Sequence, residues 1–494
     1  MPLFSPRPYQ PPFYPYKRDP FLLRAFTAFE RWIKGILFGC RMCGNCILQE
    51  TAFVCPMTCP KGLRNGLCGG SSSERCYVDP TRPCTWYVIY ERSERWGRME
   101  KLLEINAPID GRQAGHEAWL SLYKFWRERK RGPSFKDLLF NRKKFNEELQ
   151  SLFFDLRQPE WWQGDSKYHP PAYTEPISKL EAQLKSGQFT VTAEIAPPMG
   201  ATVKTIERWA TVMKDYVVAA NFTDNASAAP RMGSLACARL CLEYGLEPVM
   251  QLQTRDRTRV ALESDAIGAA GLGIRNILCL TGDHLRLGPG PVPKPDQHDM
   301  DAIQLLWMLR RMRDERVYLD GRTIKEPPRF FLGAAASPYA AIPRYEAIRT
   351  EKKVNAGAQF IQTQPVFDYD RFLDWLEAID KRNLLDKVYI LAGLVPLKSP
   401  RAAHYMAEEV PGVVVPQAIV KRMDEASNPQ EEGVQIALEI IEKLKKTPGI
   451  RGIHIMAVHW EEIVPRLIDE SGLPKPLSQP AEKSAEVVDS AQRT

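Results

Sequence analysis

Residues 189–223 read FTVTAEIAPPMGATVKTIERWATVMKDYVVAANFT. A β-rich run, Phe189–Ala196, leads into the helical stretch TVKTIERWATVMKDY, and a second β-rich run, Val217–Thr223, follows. Runs rich in β-branched and aromatic residues that alternate with helical segments mark βαβ units. The alternation continues outward from this stretch. Further strands are predicted at Pro248–Gln253, Asn276–Thr281, Phe330–Ala335, Gln359–Gln364, Val388–Leu394 and Gly452–Ala457. Helical segments such as RTRVALESDAIGAAGLG, MDAIQLLWMLRRM and YDRFLDWLEAID lie between them. Eight strands and their helices match a (β/α)8 TIM barrel of the usual length, about 250 residues, better than an open sheet. A dinucleotide-binding open sheet would need a G-x-G-x-x-G turn after its first strand. The glycines Gly268, Gly271 and Gly273 instead close a helix and precede a strand.

In such a barrel, chemistry gathers at the C-terminal ends of the strands. Those ends carry Glu194, Thr223-Asp224-Asn225, Gln251 and Gln253, Thr281-Gly282-Asp283, Ala335-Ala336-Ser337, Gln364, Gly393 and His454. Glu194 and Asp283 are the carboxylates expected to face a ring of amides, hydroxyls and small residues. Glu194 sits among Ala193, Ile195, Ala196, Pro197 and Pro198. Apolar neighbours raise a carboxyl pKa, which suits it to proton donation.

The first third of the chain is built differently. Residues 1–175 hold 27 Lys and Arg against 19 Asp and Glu, whereas the remainder holds 40 against 41. Eight of the 11 cysteines lie here: Cys40, Cys43, Cys46, Cys55, Cys59, Cys68, Cys76 and Cys84. The opening Cys40-x2-Cys43-x2-Cys46 puts three thiols on one tight loop, and Cys55 and Cys59 each precede a stiffening proline. Disulfides, structural zinc and iron–sulfur clusters compete for these thiols. No secretion signal accompanies them, which argues against disulfides. Zinc takes four thiolates, usually from paired Cys-x2-Cys knuckles. The triple spacing with Cys-Pro downstream favours one or two [4Fe–4S] clusters, with zinc the alternative. Trp119, Leu122, Tyr123 and Trp126 have helical spacing, and the basic run Arg127–Arg131 reads as a solvated helix face rather than a nucleic-acid site.

A chain of 494 residues with 44% hydrophobic and 26% charged residues is globular and multidomain. No apolar run reaches the roughly 18 residues of a membrane span, and a cytoplasmic location is expected. The organisation expected is a flexible tail at 1–20, a cysteine-rich domain with a Pro-rich linker at 21–175, a barrel at 176–471 and a disordered tail at 472–494.

Four separated motifs give the barrel a family resemblance. They are TAEIAPP (192–198), NFTDNASAAPRMGSLA (221–236), the run from RDRTRVALESD into GLGIRNILCLTGDH (255–284), and KVNAGAQFIQTQPVFD (353–368). Together they resemble 5,10-methylenetetrahydrofolate reductase, a flavin-dependent barrel enzyme. The first third resembles the cysteine-rich companion module of acetogen-type reductases, here fused ahead of the barrel. The resemblance implies reduction of methylenetetrahydrofolate to 5-methyltetrahydrofolate in one-carbon metabolism. It implies FAD, with FMN the alternative, and electrons from NAD(P)H, ferredoxin or another electron-transfer protein, in an oligomer or complex. Carried over residue by residue, it makes Glu194 the general acid, Asp283 an acid near flavin and folate, and Gln364 a folate ligand. Thr223, Gln251, Ala335, Ser337, Glu346 and Lys353 fall at flavin-binding positions, with Lys353 suited to a cofactor phosphate. Family members often show Arg at position 281, His at 251, Tyr at 337 and Asp at 346, where this chain has Thr, Gln, Ser and Glu. The rival expectations are a non-catalytic electron-transfer or scaffold subunit, and a zinc-containing nucleic-acid-binding protein.

Overall fold

The computed structural model describes residues 20–120, 134–291 and 298–477. Of the tails expected at 1–20 and 472–494, residues 1–19 and 478–494 lie outside the described residues, as do the helical positions Leu122, Tyr123 and Trp126 and the basic run Arg127–Arg131. Gly472 caps the helix Val464–Ser471, and Leu473 packs on the core.

Eight parallel strands close a barrel in strict chain order. They are β1 (Thr190–Ile195), β2 (Ala219–Phe222), β3 (Glu247–Gln253), β4 (Asn276–Leu280), β5 (Phe331–Ala336), β6 (Phe360–Pro365), β7 (Tyr389–Leu394) and β8 (Ile450–Ile455). The ring shuts where β8 pairs with β1, Thr192 opposite His454. Each predicted strand is present, its ends displaced by two residues at most. The surrounding helices bury one stripe each: Lys204–Met213 turns Ile206, Trp209, Ala210 and Met213 inward at the i, i+3, i+4, i+7 spacing of an amphipathic helix.

The lumen is filled in layers. At its N-terminal end Ala219, Val249, Leu278, Phe331, Phe360 and Leu391 meet Leu180 and Leu184 of the helix Lys179–Lys185, which plugs the barrel. Above them lies a buried polar layer. The Asn221 amide donates to Gln362 Oε1 at 2.6 Å across the lumen, and Thr192 Oγ1 meets His454 Nδ1 at 3.0 Å. His454 therefore lies inside this layer and not at the mouth where the sequence reading placed it. Its ring is 3% exposed, and burial holds its pKa down to about 3, so it is a neutral core group.

The cysteine-rich module lies on the helices that follow β4 and β5 and reaches the barrel mouth. Arg64 N and Asn65 Nδ2 donate to Asp301, which also caps the helix Ala302–Asp314 through a capping box with Gln304. Tyr87 and Tyr90 pack on Tyr345 of the helix Pro343–Asn355, with ring centroids 6.3 and 4.9 Å apart. Residues 157–176, expected as a linker, carry the fully buried Trp162, whose indole donates to the Ile105 carbonyl at 3.0 Å and packs on Trp307.

Candidate active site at the barrel mouth

Glu194 is the last inward-facing residue of β1, two positions above Thr192 of the polar layer. Its carboxylate accepts a hydrogen bond from Gln251 Nε2 at 3.4 Å. Burial pushes its pKa up to about 7, and the nearby Glu461 adds to the rise against the Gln251 bond. A carboxylic acid near half-protonation at neutral pH can hold and deliver a proton. Glu461, buried just beyond β8, was not singled out from the sequence, and no motif marks it.

Thr223 is half-buried at the end of β2. The adjacent Asp224 is tied down by Arg257 at 2.6 Å and by the Gln253 backbone, which makes it a structural carboxylate. Gln364 ends β6 beside a register shift between Gln362 and Pro365, and such irregularities re-aim side chains at strand ends. Gly393 of β7 permits the shift, since a Cβ there would lie 2.4 Å from the Thr363 carbonyl oxygen.

The Thr281-Gly282-Asp283 turn closes β4. Thr281 Oγ1 accepts from Ala302 N at 3.0 Å and so faces the following helix. Asp283 is half-buried, with its carbonyl 3.4 Å from Arg255 Nη1. After β5, Ser337 N donates to the Glu346 carboxylate at 3.2 Å, and Arg349 pairs with the same carboxylate at 2.9 Å. Glu346 has no exposed surface. Lys353 is likewise buried, donates to the half-buried Ala335 carbonyl, and has its pKa lowered to about 7 by burial and the neighbouring Arg349. The structure thus gathers Glu194, Gln251, Thr223, Gln364 and Asp283 at the mouth. It leaves Glu346 and Lys353 beneath Gly66 and Cys68 of the module, which approach Arg349.

All eleven cysteines are free thiols. Cys40, Cys43, Cys46 and Cys55 line one pocket with Lys34, Asn45 and Arg64. Burial and the neighbouring thiols push Cys40 up to about 11 and Cys55 up to about 12. Cys59, Cys68 and Cys84 form a second set, with Cys59 at about 12 and Cys84 at about 11 through burial and the closeness of Cys68. Ser71 Oγ lies 3.3 Å from Cys68 Sγ. Cys76 is buried in the same loop, its backbone N–H bonded to the Arg82 carbonyl. Among the described residues no group of three or more His, Cys, Asp or Glu side chains is arranged to hold a metal ion.

A family model described as methylenetetrahydrofolate reductase matches residues 179–472, and a second, described as methylene-tetrahydrofolate reductase C terminal, matches residues 21–112. Methylenetetrahydrofolate reductase 1 of Schizosaccharomyces pombe is 26% identical over 239 residues, 47% of this chain and 36% of the yeast protein. The 5,10-methylenetetrahydrofolate reductases of Salmonella typhimurium and Escherichia coli are each 24% identical. Those matches cover 58% and 56% of this chain, and 92% and 88% of the bacterial proteins.

Proposed function

The chain belongs to the methylenetetrahydrofolate reductase family, and we propose that it reduces 5,10-methylenetetrahydrofolate to 5-methyltetrahydrofolate at the mouth of its barrel. The observation that carries this reading is Glu194, a buried inward-facing carboxyl at the mouth with its pKa raised to about 7 and bonded to Gln251. Its proton goes to the substrate amine as the methylene bridge opens, and Gln251 orients the carboxyl for that transfer. Gln364 and Asp283 hold the folate.

Thr223, Asp283 and Ser337 fit the edge of a flavin, FAD in our reading and FMN as the alternative. The buried His298 ring, beside the Thr281 backbone and stacked on His284, adds polar capacity near the β4 turn. When bound, the flavin supplies the hydride that reduces the methylene carbon. Glu346 and Lys353 contribute by holding the loop after β5 in place.

The module, residues 21–175 in our division, relays electrons to the barrel at residues 176–471. Its thiols suit iron–sulfur clusters better than zinc. That preference is supported by the triple Cys40-x2-Cys43-x2-Cys46 spacing with Cys-Pro downstream, where zinc more often takes paired Cys-x2-Cys knuckles. The basic balance of the first third suits an acidic carrier such as ferredoxin.

Anaerobic purification followed by flavin, iron, sulfide and zinc analysis, with turnover assays using NADH, NADPH and reduced ferredoxin, tests the proposal. Bound flavin, iron with sulfide, and methylenetetrahydrofolate reduction are expected. A chain that takes up no flavin and reduces no folate even with chemically reduced flavin would overturn it, and zinc without iron would overturn the relay.

A further inference from the structure

We infer that the barrel's site is completed by the cysteine module, with Tyr77 acting as a positioning residue for Asp283 and Lys61 bracing the turn that carries it. This deepens the reading above and rests on it for the role of Asp283.

The contacts come from one continuous piece of the module. Lys61 is 4% exposed, and its ammonium donates to the Gly282 carbonyl at 2.9 Å while standing 5.6 Å from the centre of the Tyr77 ring. The Lys61 carbonyl in turn accepts from His298 N at 3.3 Å, so the segment is stitched to both sides of the β4 loop. The Tyr77 hydroxyl is hydrogen-bonded to the Asp283 carboxylate. A phenol is a neutral donor at neutral pH. A phenol donating to one oxygen fixes the carboxylate's orientation and leaves the other oxygen for a ligand.

The seat of this loop is close-fitting. A Cβ on Gly69 would stand 2.2 Å from Ser337 Oγ, and one on Gly70 would stand 2.9 Å from Pro411 Cβ and 3.1 Å from Tyr77 Cγ. Gly412 meets the Gly69 carbonyl oxygen in the same way, at 2.9 Å. The loop thus rests on the connection after β5 and on the turn after the helix Pro400–Glu408 while touching the turn after β4. It is also the loop of the second thiol set: Ser71 Oγ accepts from Tyr77 N at 3.1 Å and contacts Cys68 Sγ. Cys68 is thus linked to Asp283 through Ser71 and Tyr77, three contacts in all.

The test uses the full-length, metal-loaded chain with Tyr77→Phe, Lys61→Met, Asp283→Asn and the double variant Tyr77→Phe/Asp283→Asn. Binding of 5-methyltetrahydrofolate to the oxidised protein is measured beside flavin content, iron content and Tm. Loss of one hydrogen bond of about 0.5–1.5 kcal/mol weakens binding about 2- to 12-fold. That loss is expected for Tyr77→Phe with flavin, iron and Tm unchanged. In the Asp283→Asn background the same change should add nothing, because Tyr77 acts through Asp283. An unchanged affinity, or a loss that simply adds to that of Asp283→Asn, would overturn the inference. Hydrogen exchange across 281–285 tests the contact without folate: Tyr77→Phe and Lys61→Met should each speed it. Should the wild-type chain bind no folate, the functional reading fails by itself. Unchanged exchange in both variants would then sink the contact as well.

Discussion

The barrel and the cysteine module bury different chemistry. In the barrel one apolar cluster runs from Val191 to Leu473 and takes in Ile105, Ala107 and Trp162 from the first third, and a hydrogen-bonded polar layer crosses the lumen below the mouth. The module's largest cluster is a small one around Leu63, Trp86 and Tyr87, and it borrows Tyr345 and Ile348 from the barrel. Around Cys40–Cys55 the apolar contribution shrinks to Leu48, Cys55 and Met57. A fold of the first kind stands on apolar burial. One of the second kind depends on what its thiols hold and on the surface beneath it, as small metal-binding domains do.

The sharpest way to break this contrast is to replace Cys40, Cys43 and Cys46 by Ser. Complete loss of iron and sulfide from that site is expected, with protease sensitivity confined to the module while the barrel keeps its circular dichroism. Barrel unfolding together with the module would erase the distinction. Next in size is Trp162→Ala, which removes the indole joining Ile105 of the module to Trp307 of the barrel. Truncation of a buried aromatic of this size costs about 3–5 kcal/mol, measurable by urea unfolding. A loss under about 1 kcal/mol would mean that the two units hardly share a core.

Glu194→Gln sharpens the comparison from the barrel side, because it alters chemistry without altering packing. Folate reduction should fall at least ~10²-fold while flavin and fold persist. The same variant should show a pH-dependent gain in stability. Because the folded-state pKa of Glu194 is raised to about 7, the native state favours the protonated form. Wild-type stability from this group is complete below the ordinary carboxyl pKa and is lost as pH rises through about 7. Glu194→Gln, which cannot ionise, should therefore exceed wild type by about 1–3 kcal/mol at pH 8 and match it near pH 4. A gain that grows toward acid pH would refute the assignment. The smallest effect belongs to the rim of the interface, where Arg344 meets Glu94 at 2.6 Å with both side chains exposed. Arg344→Ala should cost no more than about 1 kcal/mol, and less in high salt. A larger loss would move the weight of docking from the buried aromatics to this rim.

The alternation of short β-rich runs with helical segments determined the barrel by itself, because backbone periodicity and side-chain burial are local properties written every few residues. The spacing of Cys40, Cys43 and Cys46 also determined that three thiols would share one pocket, since a loop of that length cannot separate them. The strand pattern likewise puts Glu194 at an inward-facing strand end, whereas its burial beside Gln251 and Glu461 comes from closure of the barrel. What only the tertiary structure decided are the relations between distant segments. His454 is near the end of β8 in sequence, yet the pleat and the stagger of the closed barrel turn it into the lumen onto Thr192. Glu346 and Lys353 sit on a helix whose exposure depends on the module above it, and no local pattern announces that cover. Tyr77 and Lys61 reach the Gly282–Asp283 turn across more than 200 residues of chain. Their meeting is set by how two separately patterned units dock, a property of matched surfaces that no stretch of either sequence contains alone.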